Sequence, residues 1–213
     1  MRLRHWGDCA IYQCCKFGVW LLCHTYFRVT YRGRENLPGS GAALLACHHS
    51  SYIDPVVIGL GVPRIVSYLA REDLFRTPLK WLIRHLFAYP ISRDSSDLRA
   101  IKQAQKLLKE GSIVLLFPEG TRTDNGRVKE FKAGVGLVAL RAQVPVVPVY
   151  VQGAYQLWPR RQKFPRPGRM RVYYGPPLLP ADYAEEPRNR TGFTRIAREL
   201  EERVKNLEKE ARL

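Results

Sequence analysis

His49 and Asp54 are separated by four residues in the stretch His48-His49-Ser50-Ser51-Tyr52-Ile53-Asp54. The apolar run Ala42 to Cys47 precedes it and Pro55-Val56-Val57-Ile58 follows, which predicts a strand, a polar loop and the start of a helix. One loop-to-helix corner can bring the imidazole and the carboxylate together. A carboxylate bonded to one ring nitrogen fixes the tautomer and leaves the other nitrogen free to take a proton. A general base acting on an alcohol needs that arrangement. Asp54 before Pro55 also suits a helix N-cap with proline at the first helical position, so the pair alone leaves both readings open.

Phe117-Pro118-Glu119-Gly120-Thr121-Arg122 is the second constellation. Gly120 permits close approach of the backbone to a ligand. Arg122 supplies a planar fork suited to a phosphate. Glu119 can hold that fork or accept a ligand hydroxyl; the plain alternative is a turn with a surface Glu–Arg pair. Arg93, closing Pro90-Ile91-Ser92-Arg93, offers a second guanidinium for a dianionic phosphate, or is a solvated arginine in a helix-starting turn. Lys132 either adds positive charge to the same loop region or is an exposed lysine. Cys47 has the chemistry of a nucleophile, but its place at the end of an apolar strand predicts a buried, inert thiol. Ser51 is expected to cap the helix that follows.

The elements that must position these residues alternate. Strands are expected at Val29 to Arg32, Ala42 to Cys47, Ile65 to Ala70, Ser112 to Phe117, Val144 to Val151 and Met170 to Tyr174, with a short extended piece at Tyr89 to Arg93. Helices are expected from about Asp54, over Pro78 to Phe87, from Ser95–Asp97 to Glu110 with Gly111 closing it, over Gly134 to Gln143, and over Thr191 to Arg212. The prolines at 145 and 148 demote part of the sixth strand to an edge or an irregular start. The alternation predicts an α/β domain with a largely parallel central sheet flanked by helices. In such a sheet the carboxyl ends of the strands lie along one edge, where ligands bind. The 49–54 and 118–122 loops both follow such ends, so His49, Asp54, Glu119 and Arg122 can share one site.

The chain has 213 residues with 46% hydrophobic content, which suits one domain with a sizeable core. Its 35 Lys and Arg against 19 Asp and Glu give +16 and imply an anionic partner: nucleic acid, a membrane surface or a phosphorylated substrate. No helix-turn-helix spacing, zinc-finger ligand set or aromatic stacking motif supports nucleic acid. Of the five cysteines, Cys9, Cys14, Cys15 and Cys23 lie in one apolar stretch and none forms a CxxC pair, which argues against a disulfide framework or a zinc site. Reduced thiols facing the cytosol are expected.

Residues 1–30 read as a separate N-terminal unit ahead of a domain over 31–213. Cys9 to Phe27 is apolar but interrupted by Gln13, Lys16, Gly18, His24 and Thr25, and a spanning helix needs about 20 predominantly apolar residues. On a helical wheel Gln13, Lys16, Trp20 and His24 share one side and Ile11, Cys14, Cys15, Val19, Leu21 and Leu22 the other; Thr25 breaks the pattern. Arg2, Arg4, Arg28, Arg32 and Arg34 flank the stretch. A helix lying at an anionic membrane interface is expected, with a core helix as the alternative. The stretch Arg160 to Arg171 carries no acid and can press on anionic lipid, steer an acidic carrier protein, or be a solvated loop.

Taken together, these stretches resemble the glycerolipid acyltransferase superfamily, and most closely its bacterial 1-acyl-sn-glycerol-3-phosphate acyltransferases. The family's NHxSxxD pattern matches at His48 to Asp54, with His48 in place of the Asn; His49, Ser51 and Asp54 fit. Ile91-Ser92-Arg93 looks like the second motif, Phe117 to Arg122 is the third in full, and Val144 to Gly153 looks like the fourth. The resemblance implies a glycerol-3-phosphate acyltransferase-like fold with a membrane-associating N-terminal helix. It implies His49 as general base and Asp54 as its orienting partner. Arg93, Glu119, Gly120, Thr121, Arg122 and Lys132 would bind the glycerophosphate. The implied reaction moves an acyl group from acyl-CoA or acyl-carrier protein to the free hydroxyl of 1-acyl-sn-glycerol-3-phosphate, giving phosphatidic acid. Neither a cofactor nor a metal is implied. The implied place is the cytoplasmic face of the inner membrane, as a peripheral or monotopic protein. His48 for Asn touches only a loop hydrogen bond that the Asn amide would make. Three alternatives stand beside this reading: the same chemistry on another lyso-lipid such as a lyso-ornithine lipid, a metal-dependent hydrolase using His48, His49 and Asp54, and a non-catalytic basic binding module.

Overall fold

The computed structural model describes residues 17–72, 88–91 and 97–212. The expected helix over Pro78 to Phe87, the caps at Ser95 and Ser96, Arg93, and the first sixteen residues lie outside them. Seven strands form one sheet: β1 (Thr30–Arg32), β2 (Ala43–Cys47), β3 (Val66–Arg71), β4 (Ala88–Ile91), β5 (Ile113–Leu116), β6 (Val146–Gln152) and β7 (Arg171–Tyr174). Their spatial order is β1-β7-β6-β2-β5-β3-β4. All neighbours pair in parallel except β6 and β7, so the sheet is largely parallel. Around it stand α1 (residues 17–26), α2 (Asp54–Gly61), α3 (Asp97–Lys109), α4 (Gly134–Ala142), the short α5 (Ala154–Leu157) and α6 (Pro180–Tyr183), and α7 (Arg190–Arg212).

Strand side chains alternate between faces, and each face has its own core. Leu44, Ala46, Val114 and Val146 pack with α3, α4 and α7. Ala43, Leu45, Cys47, Leu115 and Val147 pack with α2 and with Cys23 and Phe27 of the N-terminal segment. In α7, Ile196, Leu200, Val204, Leu207 and Ala211 recur every three or four residues and are all buried, so this highly charged helix is held by one apolar stripe. Gly111 at φ 80 and Gln143 at φ 50 end α3 and α4 in left-handed backbone, as helix C-termini commonly do.

One expectation is corrected. β6 does begin late, at Val146, after Pro145, but it is no edge: it lies between β7 and β2. Pro148 is tolerated inside because the N–H it lacks would point to the β7 side, where the ladder begins only one residue later, at Val149; its carbonyl on that side accepts the Gly175 N–H at 2.9 Å. Helix α1 buries Cys23 and leaves Phe17, Trp20, Leu21 and Leu22 exposed, so much of its apolar surface does not enter the core. Trp20 falls beside His24, with ring centroids 4.3 Å apart, as the wheel placed them.

Candidate active site

β2 and β5 are immediate neighbours in parallel register, Ala46 opposite Leu116, so the loops after Cys47 and Leu116 leave the same edge side by side. His49 Nδ1 lies 2.9 Å from Asp54 Oδ2. Asp54 is fully buried and the His49 side chain is 21% exposed, so the base is reachable while its partner is not. The same Oδ2 accepts the Ser50 and Ser51 backbone N–H groups, each at 2.7 Å. Asp54 is the first residue of α2, with Ile53 at the cap position, and its carboxylate turns back onto the preceding loop. It therefore serves the histidine and the helix entry together.

The second loop clamps the first. Thr123 N–H donates to the His49 carbonyl at 2.7 Å, and the His49 N–H faces the Glu119 carboxylate and favours its charged form. Phe117 stacks on the His49 ring at 4.0 Å between centroids. With its carbonyl and one ring face held, the imidazole has little freedom beyond the Asp54 bond. Phe117 and Thr123 carry this positioning, and sequence reasoning did not single them out for it; their only signal was adjacency to the 118–122 loop.

Glu119 differs from the expected Glu–Arg pair. It is buried, Oε1 accepts the Lys129 N–H at 3.2 Å, and no ion pair joins it to Arg122 among the described residues. Burial pushes its carboxyl up to about 7, while the N–H groups of Lys129 and His49 pull the other way. Between its usual 4.5 and about 7 the folded protein keeps a proton that the unfolded chain has released, so stability falls as pH rises through that window. Glu119→Gln removes this titration. Wild type should lose about 1–3 kcal/mol relative to the variant between about pH 5 and about pH 8, read from urea midpoints. Parallel pH profiles would refute it.

The Arg122 guanidinium lies over the Tyr52 ring, 3.4 Å from its centroid. Tyr52, inside the first loop, was not singled out either. Arg122 Nη1 is buried and has no hydrogen-bond partner among the described residues. Lys129 Nζ holds the Arg122 carbonyl at 3.1 Å. Gly120 has φ 72, and a Cβ there would stand 2.8 Å from Lys132 Nζ, so glycine lets this lysine lie across the loop. Two cations thus flank Gly120, with Thr121 exposed between Gly120 and Arg122. Glu201 accepts the Phe131 N–H at 2.8 Å and fixes the segment that carries Lys132.

Ser51 does not cap α2 as expected: its hydroxyl donates to the Trp158 carbonyl at 2.7 Å, tying the loop to the segment after β6. His48 is buried, stacks on Tyr150, and its Nε2 accepts the Val151 N–H at 3.2 Å. Burial lowers its pKa and keeps the ring neutral for that bond. The imidazole thus supplies a loop hydrogen bond, and His48 and His49 do not converge on one ligand. Among the described residues no group of three His, Cys, Asp or Glu side chains is placed to hold a metal. An apolar cleft of about 340 Å³ begins at Phe117, Pro118 and Gly120 and continues between Ile101, Val135 and Phe193.

The acyltransferase family model matches residues 28–152. The 1-acyl-sn-glycerol-3-phosphate acyltransferase of Bacillus subtilis (strain 168) is 31% identical over 202 residues, which span 93% of this chain and 97% of that protein. The protein of the same name in Pseudomonas aeruginosa is 32% identical over 168 residues, 77% of this chain and 65% of its own length. The crystal structure of the 1-acyl-sn-glycerophosphate (LPA) acyltransferase PlsC from Thermotoga maritima superposes with a TM-score of 0.74 at 28% identity, covering 95% of this chain and 83% of that one.

Proposed function

Because the chain belongs to the acyltransferase family, we propose that it acylates the free hydroxyl of 1-acyl-sn-glycerol-3-phosphate and so makes phosphatidic acid. The observation that carries the reading is the His49–Asp54 pair beside a buried, unpartnered Arg122 nitrogen. With Nδ1–H given to Asp54, Nε2 is the proton acceptor. It takes the hydroxyl proton as that oxygen attacks the thioester carbonyl of acyl-CoA or acyl-carrier protein. The carbon–sulfur bond breaks, and the leaving thiolate regains the proton from His49. Asp54 stabilises the imidazolium that exists between the two transfers. Both substrates can be bound at once, so no acyl-enzyme is required.

Arg122 and Lys132 take the acceptor's phosphate across Gly120, which accounts for the buried guanidinium donor. Arg93, outside the described residues, is proposed as a third cation there. Glu119 supports this site through the His49 and Lys129 backbone rather than by touching phosphate. The apolar cleft suits an acyl chain, since Phe117, whose ring stacks on His49, is part of its lining.

No helix among the described residues is long and apolar enough to cross a membrane. Peripheral attachment at the cytoplasmic face of the inner membrane is the reading favoured by the exposed apolar side chains of α1 and the excess of +16. Thiol release from acyl-CoA and from acyl-carrier protein, with lysophosphatidic acid in detergent, tests the activity. Arg122→Ala should raise the acceptor KM about ten- to hundredfold with a smaller change in kcat, the loss expected for one charge-assisted contact. An unchanged KM would remove Arg122 from the phosphate site.

A further inference from the structure

A hollow of about 250 Å³ lies where β1, β6 and β7 meet, lined by Arg28, Thr30, Gln152, Arg169, Met170 and Arg171. The chemistry above does not use it. The β1–β7 ladder runs on backwards past both strands: Thr30 N–H donates to the Met170 carbonyl at 3.0 Å, Met170 N–H to Phe27 at 3.0 Å, and Gly168 N–H to Tyr26 at 3.2 Å. Arg28 and Arg169 therefore run alongside one another. Arg171 pairs in register with Thr30 on one side and Gln152 on the other. Gly153, at φ 88, seats the Arg169 backbone: a Cβ there would stand 2.3 Å from the Arg169 carbonyl oxygen. The backbones of Arg28, Arg169 and Arg171 are thus held together at the sheet's end.

Arg28 and Arg169 are exposed and Arg171 is half-buried, so three like charges gather at one hollow and an anion there would relieve what repulsion solvent leaves. None of the three is ion-paired among the described residues. Arg171 Nη1 donates to the Tyr173 hydroxyl at 3.2 Å. Arg28 has left-handed backbone, φ 44, two residues past α1, where the Phe27 and Val29 N–H groups close the helix end on the Cys23 carbonyl. The surroundings indicate which anion fits. Arg28 follows α1, whose Phe17, Leu21 and Leu22 are exposed; Arg169 follows the loop in which Phe164 is 71% exposed among Arg160, Arg161, Lys163 and Arg166. The Tyr26 hydroxyl donates to the Pro165 carbonyl at 3.1 Å and joins helix to loop.

We propose that Arg28, Arg169 and Arg171 form a site for the headgroup phosphate of an anionic membrane phospholipid, separate from the acceptor's phosphate at Arg122. The apolar side chains beside it enter the acyl region while the hollow holds the phosphate. This site rests on the membrane-bound reading above but not on the identity of the reaction.

The test is co-sedimentation of the full chain with phosphatidylcholine vesicles containing phosphatidylglycerol. The variant Arg28→Gly/Arg169→Gln/Arg171→Gln should bind about tenfold to hundredfold more weakly, as loss of three headgroup contacts implies. Arg28→Gly alone suits the positive φ, so its share of the loss is not a folding defect. The control Arg160→Gln/Arg161→Gln/Lys163→Gln removes equal charge from the loop and should lose distinctly less. Equal losses in the two triple variants would mean diffuse attraction and overturn the site. Unchanged vesicle binding with lost binding of inorganic phosphate would overturn the lipid assignment in favour of a soluble anion. Thiol release with detergent-dispersed acceptor should stay at the wild-type level in the hollow variant, which separates failure of this site from failure of the acyl-transfer reading.

Discussion

His49→Ala is expected to lower lipid-dependent thiol release by about a thousandfold or more, with the fold intact. Removing a positioned general base costs about two to four powers of ten. Here the loss falls toward the upper end, because the imidazole also returns the proton to the leaving thiolate. The structural cost should be small. Asp54 loses one donor but keeps the Ser50 and Ser51 N–H groups on Oδ2, and the carbonyl at position 49 keeps the Thr123 N–H. About 1–2 kcal/mol of stability is the expected change. Cys47 supplies the contrast. It is fully buried and burial holds its thiol well above the ordinary range, so Cys47→Ser should leave turnover within about threefold. Residual turnover in His49→Ala within tenfold of wild type, or its collapse in Cys47→Ser without loss of fold, would place the chemistry elsewhere.

β2, β5 and β6 were legible because each is an apolar run bounded by turn residues, and the parallel sheet because strands and helices alternate. From these it followed that the 49–54 and 118–122 loops leave one edge. The clamp did not follow. That β2 lies directly beside β5 is a matter of strand order, which periodicity does not encode. Only that adjacency lets Thr123 reach the His49 carbonyl and Phe117 stack on its ring. The pairing of Glu119 with Arg122 failed for a related reason. A carboxylate beside an arginine in sequence suggests an ion pair, but here the strand end turns Glu119 inward onto the Lys129 N–H and Arg122 onto the Tyr52 ring. The prolines of β6 misled as to its place, since a proline inside a sheet is tolerated where its missing donor faces a gap in the ladder. The exposed side of α1 was half legible: the wheel separated Leu21 and Leu22 from His24, but not which residues the body would bury, and Cys23 proved to be the anchor.

Asp54→Asn and Asp54→Ala should differ sharply, and the difference measures what the carboxylate's charge contributes. His49 Nδ1, Ser50 N and Ser51 N all converge on one oxygen, Oδ2; Oδ1 has only the Ser50 hydroxyl, at 3.4 Å. An asparagine must place its carbonyl oxygen at the Oδ2 position, because its NH₂ there would oppose two backbone donors. The amide then still accepts from His49 Nδ1–H, so the ring keeps its orientation and tautomer while the negative charge beside the imidazolium is lost. Turnover should fall about ten- to a thousandfold, with stability reduced by about 1 kcal/mol. Asp54→Ala removes the acceptor from two buried N–H groups as well. It should cost about 2–4 kcal/mol of stability, read from urea midpoints, and bring turnover down to the level of His49→Ala. Should Asp54→Asn prove as inactive as Asp54→Ala while keeping its stability, the carboxylate's charge rather than its geometry would govern the histidine. Should Asp54→Asn retain full activity, Asp54 would be an anchor of the loop with no part in proton transfer.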